Sequence, residues 1–102
     1  WCQIRYMPRL SDYRGRTKEI PFDFPELLGA LAPRSLFVHA PLRDSNFQWK
    51  SVDVCAKAAR PVYKLLGNEN GIIIKHPDYN HNFPKDMREG AYKLMDSVFK
   101  KD

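Results

Sequence analysis

Ser35-Leu36-Phe37-Val38-His39-Ala40, closed by Pro41, is a compact and mostly apolar run. It reads as a strand buried on both faces, the pattern of a parallel sheet. Further along, Gly71-Ile72-Ile73-Ile74-Lys75-His76 carries three β-branched residues in succession and is closed by Pro77, so it reads as a second strand. Between them Val52, Cys55, Ala56, Ala59, Tyr63 and Leu66 recur at helical spacing, which predicts a helix over 51–66. Pro61 is expected to kink this helix and Gly67 to end it. Strand, helix, strand is the order of a parallel pair joined by a right-handed crossover.

Outward from this unit, the segment 23–32 reads as a short helix. Asp23 is its N-cap, Glu26 completes a capping box, and Phe22 and Leu27 stand where a hydrophobic staple needs them. Pro33 ends it by disfavouring helical geometry at Ala32. A last helix is expected from Pro84 to about Lys100, with Met87, Ala91, Leu94, Met95 and Val98 on its apolar face. Residues 1–22 show no clean period and read as an irregular arm with one helical turn around Arg5–Leu10. Two parallel strands alone make no stable sheet. The fold expected is therefore α/β, with 1–102 as the C-terminal part of a single larger domain: the arm 1–22, then helix–strand–helix–strand–helix over 23–102. The start at Trp1 rather than Met fits that expectation.

Composition narrows the function classes. The chain has 102 residues, 43% of them hydrophobic and 13% aromatic, enough for a packed core and too much for general disorder. No apolar run approaches the length of a membrane span, and no secretory signal is visible. Two cysteines build no disulfide framework, and Cys2 and Cys55 lack zinc-ligand spacing. Arg5, Arg9, Arg14, Arg16 and Lys18 crowd the arm and contribute to a net charge of +5. They could meet phosphates, but no nucleic-acid motif accompanies them. Elsewhere basic and acidic residues interleave as on a solvated surface.

The chemistry is expected where the two strands end. Parallel strands bring both C-terminal ends to one edge of the sheet, the edge where open α/β sheets place their sites. Asp44 lies four residues past the first strand and His81 five past the second. If the strands are neighbours, the two loops converge, and a carboxylate there can fix the tautomer of the imidazole and stabilise its protonated form. The order acid then histidine is that of α/β-hydrolases, whose nucleophile comes earlier on a Gly-x-Ser-x-Gly turn. Ser11, Ser35, Ser45, Ser51 and Ser97 all lack that motif.

The stretches Pro21–Arg34, Ala40-Pro-Leu-Arg-Asp-Ser-Asn-Phe47 and His76-Pro-Asp-Tyr-Asn-His-Asn-Phe-Pro84 carry a resemblance. They are similar to the helix, acid loop and histidine loop of the α/β-hydrolases that group dienelactone-hydrolase-like and acetyl-xylan-esterase-like enzymes. The resemblance spans nearly the whole chain and implies Asp44 as triad acid and His81 as triad base. The glycine usual before that histidine is replaced by Asn80, which tolerates left-handed backbone geometry.

Plainer readings stand beside these. Asp44 alone could be a turn residue, and His81 alone a surface histidine. His76, before a proline, reads as structural, and His39 as a hydrogen-bonded core histidine. Asp78 reads as local turn chemistry, Cys55 as a small apolar residue, and Arg43 as solvated unless it pairs with an anionic substrate. Phe47 and Trp49 are candidates for lining a substrate pocket or for packing the acid loop onto the next helix. The expectation is the acid- and histidine-bearing part of a serine α/β-hydrolase. Its partners would be a small-molecule or carbohydrate ester and the missing N-terminal part of the same domain. No metal or organic cofactor, nucleic acid or membrane is implied. Without its nucleophile the isolated chain is expected to be inactive. A prolyl-oligopeptidase-type peptidase and a non-catalytic basic binding module are the competing readings.

Overall fold

Asp23 begins the ordered path to the sheet. In the computed structural model, which describes Arg5 and residues 7–100, its carboxylate accepts a hydrogen bond from the Phe24 N–H at 2.7 Å. Glu26 Oε2 accepts from the Asp23 N–H at 3.0 Å, and the capping box is complete. This cap starts α1, Phe24–Ala30, which stops before Pro33. Before it, the arm forms two 3-10 turns, Pro8–Tyr13 and Thr17–Glu19, rather than one turn at Arg5–Leu10. Residues 1–4 and 6 of the arm lie outside the described residues.

The strands are β1, Leu36–His39, and β2, Ile72–Lys75. They pair in parallel, with Leu36 opposite Ile72 and His39 opposite Lys75. Between them runs α2, Trp49–Leu65, which begins two residues before its expected start. Pro61 sits inside a helix that continues past it to Leu65. At its end the Gly67 N–H bonds Lys64 O and the Asn68 N–H bonds Tyr63 O, a Schellman closure with Gly67 at φ +85°. The last helix, α3, covers Lys85–Phe99, with Pro84 as its N-cap rather than in its first turn.

Packing explains the register of faces. Ala56, Ala59 and Tyr63 of α2 bury against Ile72, with Leu28, Ala32, Leu36, Val38 and Ile74 around them. Small alanines let α2 approach the sheet, and Gly29 of α1 lies under Val62. The Tyr63 ring is fully buried, and its hydroxyl donates to Arg34 O at 2.8 Å. Three expectations of burial need correction. Leu66, placed on the apolar face of α2, is 50% exposed, because the closing turn carries it off the helix face. β1 is half-buried along its length rather than buried on both faces. α1 and α2 cover the Leu36 and Val38 side, whereas Phe37 and His39 face the opposite side. On α3, Ala91 is buried while Met95 and Val98 stay exposed.

Candidate active site

The pairing of β1 with β2 continues into the loops that follow them. The Ala40 N–H bonds Lys75 O, the Leu42 N–H bonds Pro77 O and the Arg43 N–H bonds Tyr79 O, at 2.9, 3.0 and 3.1 Å. The Arg43 side chain adds a second tie, with Nε donating to Asp78 Oδ1 at 2.7 Å and Nη2 to Asp78 O at 3.0 Å. Arg43 is thus a solvent-exposed cation paired with Asp78, and Asp78 is turned to it rather than to His81. The two loops are zipped side by side, and their tips carry Asp44 and His81.

At those tips His81 Nδ1 stands 2.8 Å from Asp44 Oδ2. A carboxylate only accepts, so Nδ1 carries the proton and donates. The other carboxylate oxygen, Oδ1, accepts the backbone N–H groups of Asn46 and Phe47 at 2.8 and 3.1 Å. The Asp44 side chain is only 6% exposed and the His81 ring 53%. The bond to His81 is the largest cause holding the Asp44 carboxyl below its ordinary range; the two N–H groups help and burial opposes. The acid is sheltered, ionised and fixed. The base is tethered through one nitrogen and open at the other, since Nε2 has no partner among the described residues. Asn80 does not use left-handed geometry, as among the described residues only glycines have positive φ. The loop turns instead by a tight bond from the Asn82 N–H to Asn80 O around His81.

A cavity of about 540 Å³ adjoins the pair, lined by Asp44 and His81 together with Phe24, Leu28, Val38 and Phe47. The Phe47 ring lies 5.8 Å from that of His81. Trp49 is not part of this lining; as the first residue of α2 it packs against His76, ring centroids 4.9 Å apart and planes tilted by 57°. Cys55 lines the same cavity, but burial, then the charge of Asp23, raise its thiol pKa and keep it in its unreactive neutral form. Among the described residues no group of His, Cys, Asp and Glu is arranged to hold a metal ion. No helix there is long and apolar enough to cross a membrane.

Two histidines outside the pair also tie loops together. His76 sets Nδ1 against Ala40 O and Nε2 against Asp53 Oδ1, both at 2.8 Å. Both partners are acceptors, so the two bonds form together only when both ring nitrogens carry protons. His39 Nε2 donates to Asn82 O at 2.6 Å. Both histidines read from the sequence as structural, and both are hydrogen-bonded. Their partners left no signal there, because Asp53 and Asn82 lie 23 and 43 residues away and neither spacing implies contact.

A sheltered carboxylate orienting a half-exposed imidazole at one edge of a parallel strand pair is an arrangement that can fix the tautomer of the ring and stabilise its protonated form. Comparison with protein families places the chain among carbohydrate esterases of the α/β-hydrolase type. The family model described as glucuronyl esterase, fungi, matches residues 2–67, and the chain belongs to that family. The match runs through α1, β1, the acid loop with Asp44, and α2, and stops before β2 and His81. No significant match was found among curated proteins or solved structures.

Proposed function

We propose that residues 1–102 are the C-terminal, acid- and histidine-bearing part of a serine hydrolase of the α/β-hydrolase fold that cleaves a carbohydrate ester. The observation that carries this reading is the 2.8 Å bond between His81 Nδ1 and the sheltered Asp44 carboxylate, on loops zipped together by backbone hydrogen bonds. Membership in the glucuronyl esterase family supports an ester of a uronic acid as the substrate.

In this mechanism a serine on a preceding segment of the same domain attacks the ester carbonyl. His81 Nε2 takes the proton from its hydroxyl, and Asp44 stabilises the imidazolium that results. The tetrahedral intermediate collapses as His81 returns that proton to the leaving alcohol. Water, activated by the same nitrogen, then releases the acid and frees the serine. Backbone N–H groups on the preceding segment hold the oxyanion. The 102-residue chain alone, with acid and base but no nucleophile elbow, turns nothing over.

The test is hydrolysis of a simple alkyl or benzyl ester of glucuronic acid by the complete enzyme. His81→Ala abolishes nearly all turnover, and Asp44→Asn lowers kcat by roughly 10³–10⁴-fold with the fold intact. Turnover at the wild-type rate by the His81→Ala enzyme removes His81 from the mechanism. Cleavage of peptides in preference to esters would favour an oligopeptidase instead.

A further inference from the structure

We propose that His39 is a positioning residue for His81, an inference that rests on the acid–base reading above. The His81 ring is half-exposed, so packing does not hold it; its place depends on how the backbone on either side is anchored. On the N-terminal side the anchors are the bond from Arg43 N–H to Tyr79 O and the Arg43–Asp78 pair. On the C-terminal side the peptide carbonyl of Asn82, the residue next to His81, accepts from His39 Nε2 at 2.6 Å. The same ring lies against Phe83, centroids 5.0 Å apart. Beyond that point α3 reaches back through Arg88 Nη1, to Phe83 O at a long 3.3 Å, and through Asp86, which accepts from the Tyr79 hydroxyl at 3.2 Å.

The chemistry of the His39 ring fits this task and no proton-transfer task. Asn82 O is an acceptor, so Nε2 carries the hydrogen. His39 Nδ1 is buried and has no partner among the described residues, so a proton there would be buried unpaired. The ring is therefore held as the neutral Nε2–H tautomer, a fixed donor at the end of β1. It pins the histidine loop to the strand that also carries the acid loop, and so sets the distance between Asp44 and His81.

The test pairs His39→Met with His39→Gln, side chains of nearly the same shape of which only glutamine can donate to Asn82 O. Long-range proton–nitrogen correlation spectra of the labelled 102-residue chain read each imidazole without requiring turnover. In the wild type, His39 should carry its proton on Nε2 with a bare Nδ1, and His81 should show a downfield Nδ1 proton bonded to Asp44. His39→Met should lose that His81 signal while the amide signals of Ile72–Lys75 persist, and His39→Gln should restore it. In the complete enzyme His39→Met should lower kcat by about 10- to 100-fold with KM unchanged, the size expected of a reacting group misplaced by about 1 Å.

A His81 signal unmoved in His39→Met overturns the proposal, as does its loss in both variants, which would assign His39 to shape alone. Loss of the strand signals in His39→Met but not in His39→Gln also overturns it, because the donor would then serve the fold. If the wild-type chain shows no bonded Nδ1 proton on His81, the acid–base reading itself fails, a result distinct from the others.

Discussion

Asp44 illustrates how one residue's surroundings decide its behaviour with pH. Its folded pKa is depressed, so the stability it contributes is present above the ordinary aspartate value. That contribution fades as pH falls through the lowered one. Acidification from neutrality should therefore leave the Asp44 carboxylate charged until below about pH 4. Carbonyl carbon shifts of Asp44 followed through an acid titration check this; a midpoint above the ordinary value would contradict it. Asp44→Asn keeps the acceptor for Asn46 and Phe47 but loses the charge, so folding should survive where turnover does not. The placement of Asp44 and His81 was legible in the sequence because strand order alone sends both to one edge. Of the two readings open for Phe47 and Trp49, the sequence could not choose: Phe47 lines the cavity, whereas α2 starts earlier than its apolar period and turns the Trp49 ring onto His76.

At the scale of elements, two glycines and one tyrosine govern how the helices and strands close on each other. A methyl group at Gly71 would lie 2.8 Å from the Tyr63 ring and 2.5 Å from Asn68 Nδ2. Tyr63 is fully buried and cannot yield, so Gly71→Ala should destabilise the chain by about 1–3 kcal/mol. Gly67→Ala meets no atom, and its cost of about 1 kcal/mol comes from φ alone. Thermal melts of the two variants should rank Gly71→Ala as the more damaging. Tyr63→Phe leaves Arg34 O without its donor and should cost about 1 kcal/mol, again read as a lowered Tm. Arg43→Ala removes an exposed ion pair and should change stability by less than about 1 kcal/mol. The capping box, the Gly67 stop and the Ala56, Ala59 and Tyr63 face of α2 were readable because local chemistry sets them. The partial exposure of β1 was not, because it depends on what packs beside the strand rather than on the strand's own residues.

Across the whole molecule the burial is thin. The buried hydrophobics among the described residues are Leu10, Ala40, Ala56, Ala59, Tyr63, Ile72 and Ala91, so small side chains dominate the core. Large ones such as Phe47, Leu65 and Phe99 remain 63%, 82% and 82% exposed. With so little apolar area withdrawn from water, the 102-residue chain should be stable by less than about 5 kcal/mol, at or below the lower limit for ordinary domains. Urea unfolding followed by circular dichroism should give a low midpoint and a shallow slope, and a steep transition at high urea would refute this. Against that soft background, the ladder joining the loops after β1 and β2 is local and self-contained. Asp44 and His81 therefore travel as one rigid body, like two jaws cast on a single handle. If the proposed serine sits on a preceding segment that seats against this unit, a change in that seating would alter one quantity, the offset between the nucleophile and the imidazole, and leave the grip of acid on base untouched. An inherited mutation on that seam would be felt as lost reach and not as lost basicity. A second-site change that shifts the whole handle could recover it without altering either jaw.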